Sequence, residues 1–244
     1  VENLEAQAKG EPKEENDSIS QSNRKCEHCG IFYSTHKYRL FNGDHSYDEP
    51  NCQCEKRIWE DQEKQEKIKQ RAERWKKSVP SRFQNSSFQN YIPKNQKQKQ
   101  ALEAMTADPL GSFFIVGSYG SGKTHLLYSQ MRQYLMDEKY KGDCILKSTA
   151  DILHEIRQSE MDKGECRALE LVRRGQRFHF LWDDADKIKV TDFKIEGLFE
   201  LIDGIYKNEM PLSITSNLDI SELQAKLSPA ICRRIDDICR KIVL

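Results

Sequence analysis

Past residue 80 the chain alternates short apolar runs with amphipathic stretches. Phe113-Phe114-Ile115-Val116 is one such run; a Gly-rich turn follows it, then Leu126, Leu127, Met131 and Leu135 at helical spacing. Cys144-Ile145-Leu146, Phe178 to Trp182, Leu212 to Thr215 and Ile242-Val243-Leu244 repeat the short apolar pattern. Between them the helical period returns, with Ile152, Leu153 and Ile156 in one segment and Ile195, Leu198, Phe199 and Ile202 in another. Short apolar strands interleaved with amphipathic helices predict an α/β unit, with a parallel five-stranded sheet covered by helices on both faces.

The first 80 residues have a different texture. Residues 1–24 are polar and poor in large apolar groups, too little to offset the entropy of ordering, and read as a disordered tail. Residues 25–55 hold two tight cysteine pairs. Residues 56–79 alternate charges: Glu60 with Lys64, Glu63 with Lys67 and Glu73 with Lys77 are spaced to pair along an exposed helix. Ile58, Ile68, Ala72 and Trp75 offer only a thin apolar stripe, so this helix reads as a charged linker that Pro80 ends. The expected organisation is a tail over 1–24, a metal module over 25–55, a helical linker over 56–79 and a nucleotide-binding domain over 80–244.

Charge narrows this little. Lys+Arg and Asp+Glu are equal at 39 each, so any nucleic-acid contact needs a local basic face rather than a basic whole. No apolar run is long enough for a membrane span, and the start carries no signal-peptide pattern. The expected location is cytoplasmic, where the eight cysteines read as thiols or metal ligands rather than disulfides.

The turn after the first apolar run carries the clearest chemistry. Gly117-Ser118-Tyr119-Gly120-Ser121-Gly122-Lys123-Thr124 fits the G-x-x-x-x-G-K-[ST] phosphate loop. A phosphate needs backbone N–H groups turned inward, and glycine lets the chain curl that closely. The helix that follows, opening with His125 after the loop, adds its positive end. Lys123 neutralises phosphate charge, and the Thr124 hydroxyl suits Mg²⁺. Gly117 through His125 are therefore the expected contacts of ATP or ADP.

Phe178-His179-Phe180-Leu181-Trp182-Asp183-Asp184 is the expected partner. Carboxylates at the C-terminal end of a strand reach the ligand crevice of an open parallel sheet. Asp183 is placed to hold Mg²⁺, and Asp184 to orient or deprotonate the attacking water. Ile214-Thr215-Ser216-Asn217 ends the fourth strand with a polar side chain in reach of the γ-phosphate, or simply with a polar turn. Ala230-Ile231-Cys232-Arg233-Arg234-Ile235 sets two arginines on a helix, either as a solvated basic face or within reach of a neighbouring subunit's nucleotide.

At this point the chain resembles the AAA+ replicative-helicase loaders of the DnaC/DnaI type, whose relatives include the IstB transposition ATPases and the initiator DnaA. The resemblance covers roughly residues 79–244. It is carried by Phe88-Gln89-Asn90-Tyr91, the phosphate loop, Asp183-Asp184, Ile214-Thr215-Ser216-Asn217-Leu218 and Ala230 to Ile235. It implies that Asn217 senses the terminal phosphate and that Arg234 is the arginine finger. Arg233 stands where relatives carry a small residue, so the assignment is open between the two. Relatives often show Arg-Tyr where this chain has Ile205-Tyr206. The helical lid of most AAA+ proteins is not expected, as is common in loaders of this type.

Cys26-Glu27-His28-Cys29 and Cys52-Gln53-Cys54 suit zinc, which takes four soft ligands in a tetrahedron. The expected set is Cys26, Cys29, Cys52 and Cys54, with His28, His36 and His45 as possible substitutes. The alternative is ordinary buried thiols, but this region has little core to bury them in.

A zinc module, a charged helix and a lidless AAA+ domain together resemble a helicase loader. The implied function is an ATPase, weak alone and stimulated by partner or DNA. It would bind the hexameric replicative helicase, deliver it to single-stranded DNA and self-associate through the ATPase domain. An IstB-like transposition helper and, less in keeping with the metal module, a small-molecule phosphotransferase are the competing readings. The resemblance places DNA contact on Arg157, Arg167, Arg173, Arg174 and Arg177; a solvated basic face explains the same residues, and Arg74, Lys76 and Lys77 offer another basic surface.

Overall fold

Backbone pairing organises the N-terminal part of the chain. The computed structural model describes residues 21–27, 29–39, 46–49, 53–137, 142–161, 164–188 and 192–244. Strands β1 (Gln21–Lys25), β2 (Phe32–Arg39) and β3 (Ser46–Glu49) form an antiparallel sheet in the order β1-β2-β3. Gln21 lies opposite His36 and Lys25 opposite Phe32. Residues 21–24, expected in the tail, are strand instead, because their N–H and C=O groups find ladder partners in β2. The rest of the expected tail lies outside the described residues.

Helix α1 spans Gln53–Ser78 and is largely exposed, with Lys67 paired to Glu63 at 2.6 Å. The chain divides within it into two compact units, Val1–Gln70 and Arg71–Leu244. The last turns of α1 therefore belong with the second unit rather than with a linker running to residue 79. Trp75 explains this: its side chain is 3% exposed, and its indole N–H donates to the Gln84 carbonyl at 2.7 Å. Trp75 and Val79 pack with Leu127, Tyr128 and Met131 of the second unit.

The second unit is the expected α/β layer structure. Strands β4 (Phe113–Val116), β5 (Asp143–Ser148), β6 (Phe178–Asp183), β7 (Leu212–Ser216) and β8 (Arg240–Val243) stand in the order β5-β6-β7-β4-β8. Every pairing among them is parallel. All four residues of β4 are buried, and they alternate between faces. Phe114 and Val116 join one core with Ile152, Leu198, Ile202 and Ile231. Phe113 and Ile115 join the other with Tyr91, Met105 and Leu126. The helices supplying these layers are α2 (Gln96–Ala107), α3 (Lys123–Met136), α4 (Thr149–Glu160), α5 (Arg167–Arg173), α6 (Asp192–Lys207) and α8 (Pro229–Ile238), with the short α7 (Ile220–Leu223) before the last. Among the described residues, no helix is long and apolar enough to cross a membrane.

This strand order sets the site. β4 is the first strand of its sheet in sequence, and the chain places β7 on one side of it and β8 on the other. A crevice opens at such a reversal, at the C-terminal strand ends. The phosphate loop leaves β4 there, Asp183 ends β6, and Asn217 follows β7.

Candidate functional site

The loop from Gly117 to Gly122 curls back over the N-terminus of α3. Gly120 and Gly122 adopt positive φ, 73° and 95°. A Cβ on Gly122 would also lie 2.7 Å from the Tyr91 ring, so both backbone and packing demand glycine there. Tyr91 Oη and Gln98 Nε2 each donate to the Ser121 carbonyl at 3.1 Å, anchoring the loop from outside.

Lys123 is 6% exposed and uses its three N–H groups inward. Its Nζ donates to Gly117 O at 2.8 Å, Ser118 O at 3.0 Å and Asn217 Oδ1 at 2.8 Å. Burial lowers its pKa; Asp184, Asp186 and Asp183 pull the other way without restoring the ordinary value. Such a cation, poor in solvent and near three carboxylates, is poised to exchange a neutral carbonyl for a phosphate oxygen.

Thr124 Oγ1 donates to Asp183 Oδ1 at 3.1 Å, bringing both expected Mg²⁺ ligands together. Thr215 Oγ1 donates to the same oxygen at 2.5 Å and accepts from Asp184 N at 2.9 Å. Burial raises the Asp183 pKa, partly offset by the two threonine hydroxyls. A carboxylate so placed gains from a cation, and the oxygen donors of Thr124 and Asp183 fit a hard ion such as Mg²⁺.

Asp184 turns sharply out of β6 in the left-handed region, at φ 58° and ψ 48°. Aspartate tolerates this better than most side chains. The turn is braced by Thr149, whose hydroxyl donates to Asp184 O at 2.7 Å and accepts from Trp182 Nε1 at 2.9 Å. The Asp184 carboxylate is paired with Lys187.

Asn217 joins the loop to the acidic turn. Its Oδ1 faces Lys123, and its Nδ2 donates to Asp186 at 3.1 Å and 2.9 Å. Its backbone N–H also donates to Asp186 Oδ1, at 2.9 Å. Sequence reasoning picked out Asn217 but assigned no role to Asp186, Thr215, Tyr91 or Gln98.

The remaining expected nucleotide contacts are scattered. Tyr119 is 77% exposed at the loop tip. His125 turns to the segment before α2, its Nε2 lying 3.2 Å from Ser87 O and 3.1 Å from Asn90 Oδ1. On α8, Arg234 is bound to Asp203 at 2.7 Å and 2.9 Å, with its guanidinium over the Phe199 ring at 4.7 Å. Arg233, beside it, is exposed.

In the first unit the sulfur atoms of Cys26, Cys29 and Cys54 lie within 4.8 Å of one another. Tetrahedral zinc sets its sulfurs about 3.8 Å apart, so this grouping fits that ion. The turn from Cys26 is closed by Gly30 N donating to Cys26 O at 2.9 Å, and Cys29 N donates to Cys26 Sγ at 3.4 Å. Cys54 comes from the first turn of α1. Cys52, His28 and His45 lie outside the described residues, as does the side chain of His36.

The arginines expected to face DNA are mostly engaged. Arg167 is paired with Asp143 at 2.5 Å, Arg173 with Glu200 at 2.7 Å and Arg174 with Glu170. Arg177 donates to Glu209 O at 3.1 Å. Asp143 opens β5 and Arg177 precedes β6, so this face lies at the strand N-termini, the end opposite the phosphate loop. Arg74, Lys76 and Lys77 are exposed, with no acidic partner among the described residues.

Neither the protein-family models nor the curated proteins include a match to this chain. Solved structures do match. The DnaC helicase loader aligns at 23% sequence identity with a TM-score of 0.57, over 68% of this chain and 99% of that one. DnaI aligns at 18% identity and a TM-score of 0.56, over 68% of this chain and 94% of that one. The replication initiator DnaA bound to AMPPCP and single-stranded DNA aligns at 17% identity and a TM-score of 0.54, over 65% of this chain and 49% of that one, so this chain spans about half of the initiator. At such identities the likeness is one of fold. The fold is similar to that of the DnaC helicase loader and of DnaI.

Proposed function

We propose that this protein is an ATPase that loads a hexameric replicative helicase onto single-stranded DNA. The observation that carries the ATPase reading is the convergence of Lys123, Thr124, Asp183 and Asn217 at one crevice of the sheet. Loading rests on the fold likeness to DnaC and DnaI, and DNA contact on that to DnaA bound to single-stranded DNA.

The phosphates of ATP lie against the loop from Gly117 to Thr124, with Lys123 leaving its carbonyl partners for them. Mg²⁺, held by Thr124 and Asp183, supplies charge neutralisation of the phosphates when bound. Asp184 orients the attacking water once its carboxylate leaves Lys187. Asn217 reads the terminal phosphate. Phosphoryl transfer to water asks the protein mainly for positioning and charge stabilisation.

Self-association brings an arginine of α8 to a neighbour's nucleotide. Arg234 has to exchange Asp203 for phosphate to serve, and Arg233 does not. The first unit, with one zinc on Cys26, Cys29, Cys52 and Cys54, docks on the helicase.

Two measurements test this. Lys123→Ala should abolish tight ATP binding in a fluorescence titration, and wild-type affinity would refute the phosphate-loop assignment. The full chain should capture the host's replicative helicase. A chain that binds ATP but captures no helicase would sink the loader reading alone, and capture of a transposase instead would favour the transposition-helper reading.

A further inference from the structure

The acidic turn after β6 carries a third carboxylate that the ATPase reading does not use. Asp186 is only 4% exposed. Three contacts from Asn217 fill it: the backbone N–H at 2.9 Å and Nδ2 at 3.1 Å and 2.9 Å. Its own carbonyl accepts from Lys226 Nζ at 2.6 Å, which pins the turn from the segment before α8.

These contacts determine which way the Asn217 amide faces. A carboxylate only accepts hydrogen bonds and an ammonium only donates them. Nδ2 must therefore face Asp186, and Oδ1 must face Lys123 at 2.8 Å. A flipped amide would set its oxygen against the carboxylate and its N–H groups against the ammonium, unfavourable at both ends. The two Asp186 oxygens stand 3.1 Å and 2.9 Å from Nδ2, so one amide hydrogen can serve both and the second can donate elsewhere.

We propose that Asp186 is a positioning residue that fixes the Asn217 amide, so that its carbonyl holds Lys123 and its free N–H is aimed for the terminal phosphate of ATP. This rests on the ATPase reading above and deepens it. The carboxylate is well suited to the task. Burial pushes its pKa up, but the side-chain and backbone donors of Asn217, with its own backbone N–H and the Lys226 charge, together bring it below the ordinary value. Asp186 touches no substrate; it acts through Asn217.

The test compares full-length wild type, Asp186→Asn, Asn217→Ala and the double variant. For each, kcat for ATP and the dissociation constants for ATP and ADP are measured. An amide at 186 offers both a donor and an acceptor, and so leaves the orientation of Asn217 to Lys123 alone, which turns to phosphate when ATP binds. Asp186→Asn should lower kcat on the order of 10- to 100-fold, as misplacement of a positioning group does. ADP lacks the terminal phosphate, and its affinity should stay within about twofold. The double variant should be no slower than Asn217→Ala, because both changes remove one function. If Asp186→Asn folds poorly by thermal melt, Asp186→Ala, which removes the acceptor without adding an amide, reads the same comparison. Wild-type kcat in the folded Asp186 variant, or multiplicative losses in the double variant, would overturn the proposal. A wild-type chain that itself fails to turn over ATP would overturn the ATPase reading beneath it.

Discussion

His179 should make the protein sensitive to mild acid, and its replacement should remove a defined part of that sensitivity. The residue sits on β6 with no exposed surface, and neither ring nitrogen has a hydrogen-bond partner among the described residues. Its closest described aromatic neighbour is Tyr134, edge-on at 5.6 Å. Burial lowers its pKa from 6.5 to about 3. The unfolded chain takes up a proton here once the pH falls below the ordinary value, while the folded chain resists until about 3. Over that window the unfolded state binds more protons, so stability falls as pH falls, by about 1.4 kcal/mol per unit. Between pH 7 and pH 5 the loss from this residue is about 2 kcal/mol, insensitive to the folded pKa so long as that lies well below 5. His179→Phe keeps an aromatic ring beside Tyr134 and has nothing to titrate. Urea denaturation at both pH values, followed by tryptophan fluorescence, should show the variant losing about 2 kcal/mol less than wild type. Equal losses in the two proteins would mean that His179 titrates normally in the folded chain and that its burial is wrong.

Asp184→Asn should keep nucleotide binding and slow hydrolysis on the order of 100-fold, since it spares the loop and weakens control of the attacking water; an unchanged rate at saturating ATP, with DNA where it is needed, would remove Asp184 from the mechanism. Freshly prepared protein should contain about one zinc per chain by elemental analysis, reduced in Cys26→Ser and Cys54→Ser; metal-free wild type would refute the zinc assignment. Arg173→Ala with Arg174→Ala should weaken single-strand binding and flatten its salt dependence without touching ATP affinity. Their ion pairs are exposed and worth at most about 1 kcal/mol each, so phosphates can displace Glu200 and Glu170. Unchanged DNA affinity and salt slope would move the contact to Arg74, Lys76 and Lys77.

What the sequence made legible follows from how far apart in the chain the interacting groups stand. The phosphate loop is a local code: glycines, lysine and threonine fall within eight consecutive positions, between an apolar run and an amphipathic helix. Its strand neighbours were legible for the same reason, and all five expected strands of the sheet are present. The supports are not local. Thr215 reaches Asp183 only because β6 and β7 lie side by side, and Gln98 reaches Ser121 only because α2 packs beside the loop. The sheet of the first unit escaped notice because its strands, such as Gln21–Lys25 and Ser46–Glu49, are polar and offer no apolar alternation. Trp75 falls in the thin apolar stripe of a charged helix, yet a single large aromatic can anchor the end of a helix that is otherwise solvated. His179 is the reverse case. In a strand buried on both faces no position is reserved for water, so a lone polar residue in the run has to be carried unsatisfied or find a partner. The sequence displays that residue openly but does not say which of the two outcomes holds; packing of β6 between two helical layers decides it.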